Sequence, residues 1–174
     1  MKNLFALLVF VGCVAGCAET AQPFVDHPEQ YGLFVASTNL YFDIPLVVER
    51  EGTNETIAIP VKRYAGNYTG YLVQALPPGR YYIHSYSRYS NVTIPLHTSD
   101  GFFDVQANCF NYGGYYNFQL EHPPVGYQNT TALEDIERLP APIRKLAVNR
   151  NVCLSSMGDA SQRLSSDDLK DLKF

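Results

Sequence analysis

Tyr71-Leu72-Val73-Gln74-Ala75-Leu76-Pro77-Pro78-Gly79-Arg80-Tyr81-Tyr82-Ile83 is the stretch that decides the fold. Its centre is a strong turn, because proline pre-sets φ and Gly79 supplies a positive one. An apolar run enters the turn. Arg80 to Tyr86, rich in aromatic residues, leaves it as a strand. On the N-terminal side, Leu33 to Ser37 is a short apolar run and Pro45 to Arg50 is another, closed by the turn cluster Glu51-Gly52-Thr53-Asn54. Glu55 to Lys62 alternates with period two, as a half-buried strand does, and Pro60 marks an edge or the end of its pairing. On the C-terminal side, Asn91 to Leu96 and Gly101 to Ala107 read as strands. Asn111-Tyr112-Gly113-Gly114 reads as a turn into Tyr115 to Leu120. These short strands, punctuated by turns, predict a mainly β, antiparallel sandwich of about seven strands.

The 174 residues suit one domain with an appendage. A net charge of −4, from 17 acidic and 13 basic residues, argues against nucleic acid as a partner. There are 13 tyrosines and no tryptophan, and every tyrosine falls between Tyr31 and Tyr127. Beyond Gln128 the only aromatic residue is Phe174. This shift divides a β-sandwich domain, 31–127, from a C-terminal appendage, 128–174, that reads as helical. Thr131 and Glu134 fit a capping box, Pro142 starts a second short helix, and Ser166 caps a third over Asp167 to Lys173.

The N-terminus reads as an address. Met1-Lys2-Asn3 is short and positive, Leu4 to Val11 is unbrokenly apolar, and small residues follow. That is the layout of a secretory signal. Asn3 to Gly16 would span roughly 21 Å as a helix, too short for a hydrocarbon core of about 30 Å. Val14-Ala15-Gly16-Cys17 resembles the lipobox of bacterial lipoproteins. The resemblance implies a signal peptide at 1–16, cleavage before Cys17, a diacylglycerol on its thiol and an acyl chain such as palmitate on its new amine. Two or more chains anchor stably where one binds only marginally. Ala18, rather than Asp, follows the cysteine. In the sorting pattern of enterobacterial lipoproteins that implies the outer membrane of a bacterial cell envelope. Residues 17–30 contain two prolines and lack periodicity, so they read as a lipidated tether. Four N-x-S/T sequons, at Asn54, Asn67, Asn91 and Asn129, leave a glycosylated eukaryotic secreted protein as an alternative.

Tyr71 to Ile83 is similar to the "strand, L-x-P-G-x-Y, strand" signature of transthyretin-like, carboxypeptidase-regulatory-like sandwiches, which several bacterial lipoprotein families use. Those families follow it with a strand resembling Phe103 to Ala107 and a tyrosine-rich partner like Tyr112 to Tyr116. They usually have Gly-Lys where this chain has Asn108-Cys109. The resemblance implies a fold and a non-catalytic, accessory role.

With Cys13 lost and Cys17 acylated, Cys109 and Cys153 remain, an even pair in an oxidising compartment. They are expected to form a disulfide tying the tail to the sheet, with two separately buried thiols as the alternative. His27, His84, His97 and His122 show no metal-ligand spacing, and no nucleophile elbow or phosphate-binding loop appears. Asp100 and Asp104 share a strand face roughly 13 Å apart, too far for a close carboxylate pair. No catalytic residue, metal or cofactor is therefore expected, although a secreted or periplasmic hydrolase with a site assembled in space stays open. Tyrosines suit sugars or protein partners. Tyr82, Tyr86, Tyr89, Tyr112 and Tyr116 are the candidates for an exposed aromatic surface, against the plainer use of tyrosine in core filling and cross-strand pairing. The reading is a lipid-anchored accessory or binding module, with the membrane as partner through its lipid and an envelope protein or glycan as ligand.

Overall fold

A computed structural model describes residues 15–40, 45–64, 68–89, 92–95, 102–118, 127–130, 133–155 and 162–163. Residues 1–14 of the signal peptide expected at 1–16, and the helix expected over Asp167 to Lys173, lie outside the described residues.

The fold is mainly β, with two sheets face to face. Among the described residues the larger has seven strands in the order β12-β11-β9-β1-β5-β4, with β10 also beside β9. Here β1 is Gly32–Thr38, β4 Val61–Lys62, β5 Gly70–Leu76, β9 Cys109–Phe118, β10 Tyr127–Thr130, β11 Asn151–Leu154 and β12 Gln162–Arg163. The smaller has five strands in the order β3-β2-β6-β7, with β8 also beside β6. These are β2 (Leu46–Arg50), β3 (Thr56–Ile59), β6 (Gly79–Tyr89), β7 (Val92–Pro95) and β8 (Phe102–Val105). The expected turn after Leu76 joins β5 of one sheet to β6 of the other, so it is the link between layers. At Gly79, φ is +150° and an added Cβ would meet Arg50 Nε at 3.2 Å.

The inter-sheet core holds Phe34, Leu46, Val48, Leu72, Tyr81, Ile83, Phe103 and Phe118, among others. Phe34 stacks on Phe103 with ring centroids 4.0 Å apart. A second core covers the other face of the larger sheet, where Leu33, Val35, Val73, Phe110 and Val152 meet Ala21, Phe24, Ile136, Leu139 and Ile143. The larger sheet is thus buried on both faces, and the outward face of the smaller one is wet.

Several expectations need correction. The supposed tether is α1, Ala15–Asp26, which packs on β5 and β1 through Ala21 and Phe24, both 1% exposed. These two lie three apart, on one helical face. Pro23 removes only its own backbone donor, and the helix runs on past it. The appendage is not wholly helical. It holds a 3-10 helix, Leu133–Ile136, and a single-turn α2, Ala141–Arg144. It also contributes β11 and β12 to the sheet, and β10 straddles the expected boundary at residue 127. Nor is the pairing all antiparallel, since β1–β9 and β9–β11 are parallel. Parallel neighbours buried on both faces are the usual partners of covering helices.

Cys109 and Cys153 are disulfide-bonded, 44 residues apart in sequence, with Cα atoms 6.0 Å apart. The bond staples β9 to β11. Asn108, at φ +54°, opens β9 from a left-handed turn position that asparagine tolerates. Asn111 is buried and fully bonded within that turn. Its side-chain oxygen accepts from Gln106 N at 2.9 Å, and its side-chain nitrogen donates to Gln106 O at 3.0 Å and Cys109 O at 2.8 Å.

The chain direction of α1 fixes the two ends of the sandwich. Lys62 Nζ donates to Thr20 Oγ1 at 3.0 Å, so the early helix lies where β4 pairs with Tyr71, beside Gly70 and Thr38. The segment leaving the helix reaches the other end, where Asn108 N donates to Pro28 O at 2.7 Å, near Gly32 and Leu76.

Candidate functional site

Strand alternation builds a polar and aromatic patch on the wet face of the smaller sheet. Along β6, Tyr81 and Ile83 point into the core while Arg80, Tyr82 and His84 point out. The register sets Asp104 and Phe102 of β8 opposite Arg80 and Tyr82, and Glu49 of β2 opposite Tyr82 on the other side.

Arg80 and Asp104 form a two-pronged ion pair, with Nε to Oδ1 at 2.9 Å and a terminal guanidinium nitrogen to Oδ2 at 3.1 Å. The Asp104 hydrogen bond raises the Arg80 pKa further, so the guanidinium stays charged. It also lies 4.0 Å over the Phe102 ring, and Tyr82 meets that ring edge-on at 6.2 Å. The Tyr82 hydroxyl donates to Glu51 Oε1 at 2.6 Å, and this bond raises the phenol pKa, which disfavours a phenolate there. His84 Nδ1 sits 3.3 Å from Glu49 Oε2, with the imidazole half exposed. The result is a flat surface of stacked guanidinium, phenyl and phenol with a rim of carboxylates. Such a surface can stack and hydrogen-bond, as sugar rings and protein side chains require.

The expected tyrosine surface is largely absent. Of its candidates, Tyr82 alone is seen facing outward. Tyr86, Tyr112 and Tyr116 are no more than 1% exposed, and the Tyr89 side chain lies outside the described residues. A strand irregularity explains Tyr86, and the covering of both faces of the larger sheet explains Tyr112 and Tyr116. On β6 the register shifts at His84, which places one extra residue opposite β2. Parity reverses there and Tyr86 turns into the core against Phe118. On β9 the register shifts at Gly113-Gly114, read above as a turn but in fact a bulge inside one long strand, with Gly114 at φ +81°. Tyr112 therefore joins the helix-covered core and Tyr116 the inter-sheet core, although they are four residues apart.

Cys17 lies in the first turn of α1, one turn before Thr20. The Arg80–Phe102–Asp104 cluster went unread in the sequence. Its signal was the period-two set Arg80, Tyr82, His84 leaving a well-marked turn, which names an outward face once Tyr81 is assigned inward. The pairing with β8 had no local signal.

No known protein family matches this chain, and no curated protein does. A leucine-rich repeat protein of solved structure from Bacteroides thetaiotaomicron VPI-5482 is similar over 52% of this chain, at 13% identity and a TM-score of 0.37. This chain corresponds to 14% of that one, and so slight a likeness carries no argument.

Proposed function

We propose that this protein is a lipid-anchored lipoprotein of the bacterial envelope whose transthyretin-like sandwich works as a non-enzymatic binding module. One observation carries the reading. The lipobox cysteine stands at the start of a helix that docks on the sandwich, at the opposite end from the outward Arg80–Phe102–Asp104 patch. A membrane-held domain with that layout presents its stacking surface away from the lipid. Stacked rings and paired charges make up the patch. Its one phenol is held protonated and its guanidinium is already satisfied by a carboxylate, so recognition by stacking and hydrogen bonding is the chemistry on offer.

Crosslinking capture from envelope membranes tests the reading, comparing the unaltered chain with Arg80→Ala and Phe102→Ser. Specific envelope proteins or glycan fragments are expected with the first and lost with both variants, while all three stay membrane-bound. Recovery of the same partners by all three forms would move the binding surface elsewhere.

A further inference from the structure

We infer that the Thr38–Gly70 end of the sandwich is a membrane-docking surface, with Tyr68 seated among the lipid headgroups. The inference rests on the lipid-anchor reading and adds an orientation to it. Three large apolar residues are exposed among those described: Tyr68 at 90%, Val25 at 43% and Val148 at 43%. Tyr68 immediately precedes Thr69 and β5, so it belongs to the end where α1 begins. Its neighbour in the same connection, Tyr64, packs edge-on against Tyr71 at 5.5 Å, so the connection keeps one ring for the protein and offers the other to its surroundings.

Chain length supplies the occupant. Cys17 precedes Thr20 by three helical residues, a rise of roughly 4.5 Å. Thr20 is itself bonded to Lys62 of β4. An acyl-bearing Cys17 with so little slack brings this end of the domain to the bilayer. A tyrosine there has the amphipathic character found in interfacial aromatic belts, a ring for the acyl boundary and a hydroxyl for water. Val148, just before β11, belongs to the opposite end.

The absence of tryptophan gives a clean test. Tyr68→Trp and Val148→Trp each create a single reporter at an exposed position. The full chain is produced in a Gram-negative bacterium and its acyl mass checked. It is then reconstituted in phosphatidylethanolamine–phosphatidylglycerol vesicles whose acyl chains carry bromine. The Tyr68→Trp emission is expected to shift to the blue and be quenched, with Val148→Trp unquenched. Two unquenched reporters on a chain that floats with vesicles, or equal quenching of both, would overturn the docking surface and leave the anchor standing. A chain without acyl mass that does not float would remove the anchor and the docking surface together.

Discussion

Gly113 has no room for a side chain, because an added Cβ would lie 2.7 Å from Phe34 Cε2. Phe34 is itself held between Gly113 and Phe103. Gly113→Ala is expected to cost about 1–3 kcal/mol, the usual penalty for forcing extra volume into a packed core, read by denaturant unfolding. A neutral effect would mean that the β9 bulge is not packed as described. Burial raises the pKa of Tyr81 to about 12 and that of Tyr112 as well, since both phenolates would be poorly solvated. The unfolded chain ionises these phenols near pH 10, so it releases protons that the folded chain keeps. Their contribution to stability is whole below that pH and declines as pH climbs toward 12. Ultraviolet titration of the folded protein should show a fraction of tyrosines still protonated at pH 11. Complete ionisation near pH 10 would contradict their burial.

At the scale of elements, the disulfide and α1 carry the sharpest expectations. Closing a loop of 44 residues gives roughly 4 kcal/mol in the chain-entropy treatment. Cys109→Ala with Cys153→Ala should therefore unfold several kcal/mol more easily, and hydrogen exchange should show β11 losing protection first. Equal protection with and without the bond would mean that β11 holds without it. Phe24→Ala should cost about 3–5 kcal/mol if α1 is part of the core, and almost nothing if residues 18–26 are a free tether.

The strands around Pro77-Pro78-Gly79 were legible because turn chemistry and β-rich runs agree there. The disulfide was legible from the cysteine count. The docked helix was hidden because Pro23 masks a three-residue apolar spacing. The strand in the tail was hidden because Asn151 to Leu154 is too short to show a period. Tyr86 is misplaced in a reading of the sequence alone because a bulge reverses strand parity and leaves little local sign, and Tyr112 and Tyr116 because the larger sheet is covered on both faces, which the sequence of one strand does not show. Gly113-Gly114 is a local sign of a bulge, though it equally marks a turn.

Over the whole molecule, three layers set the functional geometry. The helical layer covers the larger sheet, brings Cys17 to one end and leaves the smaller sheet to face solvent. Arg80, Tyr82, Phe102 and Asp104 occupy the other end of that wet face. Cys17 and the Arg80–Phe102–Asp104 patch are thus separated by the length of the sandwich, which in the proposed arrangement parts anchor from recognition surface. No helix among the described residues is long and apolar enough to cross a membrane. The proposed arrangement assigns attachment to Cys17. The most direct measurement is the intact mass of the protein isolated from bacterial membranes, with and without globomycin. The account predicts a chain beginning at Cys17 that carries diacylglyceryl and acyl mass, and retention of residues 1–16 under the inhibitor. A mature chain with an unmodified Cys17 thiol, or one bearing glycan mass at Asn54 instead of lipid, would contradict it.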